Sequence, residues 1–322
     1  MNNGSMKNVI KKVTARPIKV INNIVLGIYL RLVKGKAKDI KTIDVKQKRI
    51  LILSPHQDDE ILGCGCLIKK ALEDKGVVKC IFMTDGSQSL SHELTPQALA
   101  ELRKVEAIEL AKNMGMEEPV FLDCPDGSLE PNDDEVVKKV AHVIEDYKPD
   151  MVFVPYFLDG HKDHTAVSGI LIASVKLLQK HKEFETYCYE VNSPISVYGV
   201  THYVDCTGYF KAKRDALEFY RSQTMSFESI FQMNRLNRII AGTDEGAELF
   251  KKVELQSYEN AYNRYNKDNR ISSCFRQMYS IYYMIPAYFK GLSIKREVAL
   301  YQYPGAAPVR RKDKSGKGTA LN

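Results

Sequence analysis

Four short, mainly apolar runs punctuate the first half of the chain: Ile50–Leu53, Val77–Met83, Val120–Leu122 and Met151–Val154. Each predicts a strand, and Ile50–Leu53 has the unbroken pattern of a strand buried on both faces. Between the runs, apolar positions recur every three or four residues. Leu62–Asp74 predicts a helix that ends at Gly76. Thr95-Pro96 starts the next helix, with Thr at the cap and Pro at the first position, and its stripe of Leu99, Leu102, Val105, Ile108 and Met114 stops at Gly115. Asp134–Tyr147, with Val136, Val140 and Ile144 on one face, and His164–Leu178 predict two more helices. Strands alternating with helices give an α/β fold: a Rossmann-like, mostly parallel sheet with helices on both faces. Past residue 185 the pattern is less regular. Thr186–Val191 and His202–Asp205 predict strands, and Lys211–Gln223 a helix.

Three segments follow from patterning and charge. Residues 1–47 read as a basic extension, in which Pro17 to Val33 mixes Ile, Val and Leu with Lys19 and Arg31 as a basic amphipathic helix would. Residues 48–305 form the α/β domain, and residues 306–322 a disordered basic tail. Residues 1–49 hold 13 Lys and Arg against 2 acids, and residues 309–322 hold 5 against 1, so a chain of net charge +7 has a body of −8. Basicity confined to the ends argues against a nucleic-acid-binding fold. It favours contact between the N-terminal extension and an anionic membrane face. A tyrosine-rich stretch, Met278–Leu292, reads first as a helix packed on the core and second as a further membrane contact. Ile24–Leu30 lacks a small-residue cleavage site and is shorter than the roughly 20 apolar residues a bilayer span needs. Seven cysteines at scattered spacings suggest no disulfide framework, so a reducing cytoplasm is the expected location, with possible peripheral membrane association.

In doubly wound sheets, ligands bind outside the carboxyl ends of the strands. Two His/Asp clusters fall at that edge. Ser54-Pro55-His56-Gln57-Asp58-Asp59-Glu60 follows the first apolar run, and His161-Lys162-Asp163-His164 follows the fourth. A catalytic zinc site takes three protein ligands and keeps one position open. His56 and Asp59, three apart at a strand-to-helix turn, can face one point, and His164 can complete the set from the second strand end. Asp58 stands beside that point and is the candidate general base. His161 can stabilise a developing oxyanion as an imidazolium, or protonate a leaving amine. Asp163 can hold a histidine in one tautomer. Asp58-Asp59-Glu60 alone would be no more than acids at a helix start; the second cluster is what makes the catalytic reading. Cys64 and Cys66 read as small buried residues before ligands. Arg103 can bind a sugar or phosphate, or form a structural ion pair, and Asp85 can line the pocket.

The order Pro-His-Gln-Asp-Asp-Glu, Gly63 and Gly65, Asp85-Gly86, then His161-Lys162-Asp163-His164 resembles the PIG-L/LmbE-like N-acetylglucosaminyl deacetylases. Arg103-Lys104-Val105-Glu106-Ala107, Leu122–Gly127, Tyr189-Glu190-Val191, Lys213–Gln223 and Ala247-Glu248-Leu249-Phe250 resemble further segments of that family. The resemblance covers roughly residues 48–255. It implies a hydrolase, dependent on Zn²⁺ or another divalent transition metal such as Fe²⁺, that removes acetyl from an N-acetylated sugar or glycoconjugate. His56, Asp59 and His164 then match the metal ligands, Asp58 the base and His161 the transition-state residue. This sequence has Gln57 where the family usually has Pro, and Gly63-Cys64-Gly65-Cys66 in place of Gly-Gly. Alternatives are a hydrolase of another acyl or carbamoyl group on a glycoconjugate, and a non-catalytic protein that holds an anionic glycan or lipid.

Overall fold

The first apolar run, Arg49–Ser54, lies in the middle of one eight-stranded sheet, in a computed structural model that describes residues 3–37, 39–88, 94–178, 183–223 and 226–301. The strands in chain order are β1 (Lys41–Thr42), β2 (Arg49–Ser54), β3 (Val77–Thr84), β4 (Val120–Cys124), β5 (Met151–Pro155), β6 (Glu185–Tyr189), β7 (His202–Asp205) and β8 (Ala247–Val253). Their order across the sheet is β1-β7-β8-β6-β5-β2-β3-β4. All neighbours are parallel except the pairs made by β8, which runs against both β6 and β7. From β2 the chain winds outward through β3 and β4, then returns to β5 on the other side of β2 and winds the opposite way. The reversal falls between β2 and β5, whose register pairs Ile50 with Met151 and Ile52 with Phe153. Their carboxyl ends, which carry the two His/Asp clusters, are therefore neighbours at the topological switch point.

The helices are α1 (Asn3–Val33), α2 (Asp59–Glu73), α3 (Pro96–Met114), α4 (Asp134–Tyr147), α5 (Lys162–Leu177), α6 (Phe210–Leu217), α7 (Glu228–Ala241), α8 (Leu255–Tyr265), α9 (Met284–Phe289) and α10 (Leu292–Tyr301). Helix α2 packs on β2, β3, β7 and β8, and α5 on β2 and β5. The central strands are buried throughout, from Ile50 to Leu53 and from Val152 to Val154, as their unbroken apolar patterns require. Helix α3 is capped as its sequence predicts. The Thr95 side chain accepts from Ala98 N at 3.2 Å, Pro96 is the first residue, and Gly115 closes it at φ 81°. Helices α2 and α5 start earlier than apolar periodicity indicates, at Asp59 and Lys162, because the polar residues before the stripe form the first turn. The extension helix runs from Asn3 straight through Pro17; a proline removes one backbone bond but does not end a helix that packing holds in place. Asn22, Leu26 and Leu30 are buried against the domain. The tail, residues 306–322, lies outside the described residues.

One buried ion pair braces the helix that leaves the site. Lys213, on α6, donates from Nζ to Glu248 Oε1, Asn234 Oδ1 and Leu62 O, each at 2.8 Å, which occupies all three ammonium protons. Glu248, on β8, also accepts from Cys66 N and Leu67 N at 2.9 Å. Both charged side chains are inaccessible to solvent, so each depends on the other and on these bonds to offset desolvation. The pair explains the second glycine of Gly63-Cys64-Gly65-Cys66: a Cβ on Gly65 would lie 2.8 Å from Lys213 Cγ. Gly63 answers to a different neighbour. A Cβ there would lie 2.2 Å from the Tyr189 ring, whose hydroxyl donates to Leu53 O at 2.8 Å.

Lys213→Met is expected to leave Glu248 buried without its counter-charge and to lower stability by about 3–5 kcal/mol. A shift of the urea midpoint at unchanged slope measures this, and a loss below about 1 kcal/mol would contradict the role given to the pair.

Candidate active site

The turn after β2 is held by its own side chains. Ser54 Oγ donates to His56 O at 2.8 Å, and Asp59 Oδ2 accepts both from His56 N at 3.1 Å and from the His56 ring at Nδ1, 3.0 Å away. Within it Asp58 adopts φ 122°, a strained conformation for a residue with a Cβ. Glu60 accepts from Asp58 N at 3.0 Å and from the Tyr220 hydroxyl. Arg103, on α3, is almost wholly buried. It donates to Gly86 O at 3.1 Å and to Gln57 O, and stands 3.6 Å from Asp58 Oδ2. Gln57 is itself buried and donates to Thr84 O at 3.0 Å.

The turn after β5 is tied to the one after β6. Asp159 accepts from His161 N at 2.8 Å and from Asn192 N and Ser193 N at 3.1 Å each. His161 caps α5, its Nδ1 accepting from Asp163 N at 3.3 Å. That bond leaves the ring proton of neutral His161 on Nε2.

These two turns converge on one carboxylate oxygen. Asp59 Oδ2 is 3.0 Å from His56 Nδ1 and 3.2 Å from His164 Nε2. The opposite ring nitrogens face other acids. His56 Nε2 lies 3.1 Å from Asp126 Oδ1 and 3.3 Å from Asp163 Oδ2, and His164 Nδ1 lies 3.6 Å from Asp159 Oδ1. Carboxylates on the far sides would keep the outer protons there once the rings shed their inner ones, which would leave the lone pairs of Nδ1 and Nε2 facing the common point. Two imidazole nitrogens and one carboxylate oxygen, within 4.8 Å of one another, are a donor set suited to a divalent transition ion. A second group, His56, His161 and Asp163, is equally close. Its carboxylate, however, already accepts from Gly127 N at 2.8 Å and Leu129 N at 3.3 Å. Asp163 is therefore a brace for His56 and for the loop after β4. The third group, Cys66, Cys206 and Glu248, is a poor metal site. Glu248 is spent on Lys213 and two amides, and burial pushes the Cys66 thiol far up.

Charge balance in the metal-free protein follows. Burial opposes charge on every group here, and partners decide the outcome. For Asp59, the charges and bonds of His164 and His56 outweigh burial and hold the carboxyl well below its usual range. For His164, Asp59 and Asp159 outweigh burial and raise it to about 10. His56 is raised likewise by Asp126, Asp163 and Asp59. His161 has no such support: burial, then the charges of His164 and His56, bring it down to about 4. Asp58 moves the other way, raised by burial to about 7 although Arg103 pulls against the shift.

The cavity over this cluster measures about 290 Å³. His56, Asp58, Asp59, Arg103, His161 and His164 reach it, but Asp85 does not. Asp85 instead accepts from Ser87 N at 3.0 Å and Asp126 N at 3.1 Å, shaping the turns after β3 and β4. Arg103 spends its terminal nitrogens on backbone carbonyls, so its first role is to hold the Asp58 turn. Sequence reasoning assigned no role to Asp126 or Asp159. The signal for both was present: Asp126 follows β4 by two residues, and Asp159 follows β5 by four and precedes His161 by two. It also gave no hint that Gln277, Met278 and Tyr279 form part of the cavity wall.

Known proteins resemble this chain in sequence and in fold. Residues 51–175 match the family described as GlcNAc-PI de-N-acetylase, PIG-L. Over 133 residues the chain is 34% identical to a diacetylchitobiose deacetylase of Thermococcus kodakarensis, covering 40% of this chain and 49% of that protein. Over 195 residues it is 25% identical to a 1D-myo-inositol 2-acetamido-2-deoxy-alpha-D-glucopyranoside deacetylase of Kineococcus radiotolerans, covering 50% of this chain and 54% of that one. The chain thus spans about half the length of these two curated relatives. Its fold superposes on N,N'-diacetylchitobiose deacetylase from Pyrococcus horikoshii with a TM-score of 0.61 at 22% identity, over 72% of this chain and 93% of that one. The matched segment begins within β2, ends within α5 and contains both His/Asp turns, so the part of the chain that is similar to the PIG-L family is the part that carries the site.

Proposed function

We propose that the chain is a metal-dependent N-deacetylase acting on an N-acetylhexosamine unit of a glycoconjugate. The observation that carries this reading is the convergence of His56 Nδ1 and His164 Nε2 on Asp59 Oδ2, with buried Asp58 next to it in one cavity. The two sequence relatives, a diacetylchitobiose deacetylase and a 1D-myo-inositol 2-acetamido-2-deoxy-alpha-D-glucopyranoside deacetylase, support the acetyl group and the sugar class.

His56, Asp59 and His164 would hold the ion, of the Zn²⁺ or Fe²⁺ type. When bound it would supply Lewis-acid chemistry, polarising an acyl carbonyl and acidifying water near neutral pH. The remaining work falls to the chain. Asp58, with a carboxyl at about 7, accepts the proton of the attacking water and can pass it on to the departing amine. Arg103 and Glu60 hold the Asp58 turn in its strained form, so the carboxylate needs no reorganisation to act. His161 offers its Nε2 proton to oxygen that gains charge as the carbonyl becomes tetrahedral. Asp126, Asp163 and Asp159 keep the two ligand rings in the tautomers that face the ion. A reducing compartment such as the cytoplasm suits the seven free cysteines.

Three outcomes are expected. His164→Ala should lose most of the ion while circular dichroism stays native; full occupancy by elemental analysis would remove His164 from the ligand set. Metal affinity should rise steeply between about pH 6 and 9, because His164 and His56 are raised above their ordinary values and must shed protons as the ion enters. Isothermal titration in buffers of different ionisation enthalpy reads the released protons. Finally, Asp58→Asn should lower kcat by about 10²-fold or more with the ion retained, measured as acetate released from N-acetylglucosamine compounds. If the wild-type, metal-loaded protein binds such compounds and releases no acetate, it is a binding protein and this reading fails.

A further inference from the structure

Helix α1 is amphipathic in the wrong sense for a free-standing surface helix. Its inner face buries Asn22, Leu26 and Leu30. Its outer face is also apolar: Val13, Val20, Ile21, Ile24, Ile28 and Leu32 are 47–79% exposed. At 3.6 residues per turn these six fall within roughly 120° of the helix circumference, one continuous stripe. Soluble surfaces seldom leave such a stripe bare unless something covers it.

The surroundings of the stripe identify the cover. Arg16, Arg31, Lys34 and Lys36 are exposed on or just after the same helix. Beside it a groove of about 400 Å³ between α1 and α7 is lined by Lys19, Arg31, Arg235 and Arg238, against Glu228 and Glu245. Residues 1–49 carry 13 basic and 2 acidic groups. Two copies of the chain meeting on this face would bring two strongly basic segments together. An anionic lipid surface receives both the apolar stripe and its charge. Among the described residues no helix is long and apolar enough to cross a membrane, so the contact is one of lying on the surface.

We propose that α1 is an in-plane docking helix for an anionic bilayer, with the Val13–Leu32 stripe at the headgroup–acyl boundary and the flanking Arg and Lys at lipid phosphates. This inference goes beyond the deacetylase reading and stands without it. The helix is coupled to the cavity wall, since Thr14 Oγ1 and Tyr282 Oη are 2.7 Å apart and Asn22 Nδ2 donates to Ile281 O at 2.7 Å, close in sequence to Gln277–Tyr279. Docking would therefore hold the cavity near the lipid surface.

The test is co-sedimentation of the full chain with phosphatidylcholine vesicles, with and without phosphatidylglycerol, at low and high salt. Pelleting is expected with the acidic vesicles and should weaken as salt shortens the Debye length to about 3 Å at 1 M. Ile24→Asp with Ile28→Asp, both outward-facing, should reduce the bound fraction at least about tenfold with an unchanged melting curve. Arg31→Glu with Lys34→Glu should abolish the preference for acidic lipid, and checks the proposal should the first pair unfold the chain. No pelleting of the wild-type chain at low salt overturns it. So does a wild-type dimer, seen by light scattering, that the Ile24/Ile28 pair dissociates while vesicles are ignored, because the stripe then belongs to a second copy.

Discussion

A single oxygen, Oδ2 of Asp59, joins the two halves of the sheet at the place where the winding reverses. It holds the backbone and ring of His56 from the turn after β2, and the ring of His164 from α5. Parallel pairing of β2 with β5 puts those turns side by side, but side by side is a matter of several ångströms. The carboxylate reduces it to hydrogen-bond distances. Everything around this oxygen serves to keep it where it is. Glu60 and Tyr220 fix the first turn of α2, Lys213 and Glu248 fix its middle, and Tyr189 packs against Gly63 between them. The helix that bears Asp59 is thus anchored at successive points along its buried side, by groups from β6, β8, α6 and the segment after α6.

Four carboxylates, Asp59, Asp126, Asp159 and Asp163, surround two histidines that keep protons in the metal-free protein. Those protons and a divalent cation supply the same sign of charge to the same acids. The acids would thus keep partners before and after an ion bound. Asp58 feels this balance less than it feels its own burial. Arg103, the charge that opposes the shift most, is committed to the backbone.

The parts of this structure that local spacing controls were legible in the sequence. Strands β2, β3 and β5 read directly from their apolar runs, α3 from its Thr-Pro start and Gly115 stop, and His56 and Asp59 from their separation of three. The parts set by distant contacts were not. Nothing near Asp126 or Asp159 says that each will face a histidine ring, since those rings arrive from other strands. Asp85 and Arg103 sit where pocket residues sit in such folds, yet both are occupied by backbone groups that no one-dimensional pattern displays. The antiparallel return of β8 was hidden because Lys251, which is buried, and Lys252, which is exposed, break the apolar run. The wall formed by Gln277–Tyr279 depends on how the chain after α8 folds back, and that path has no periodic signature.

The φ of 122° at Asp58 carries a lasting consequence. Glycine would adopt that conformation without strain, so folding stability alone favours losing the side chain. The chemistry proposed for the site asks for the opposite, a carboxylate held close beside Asp59. The position therefore sits at a standing conflict of about 1–3 kcal/mol between what the backbone prefers and what the proposed reaction needs. A lineage released from selection for catalysis would be expected to resolve it first here, drifting toward glycine or asparagine while the neighbouring core stayed as it is. The residue at this position is thus a marker, within a single sequence, of whether the fold is still being used for chemistry.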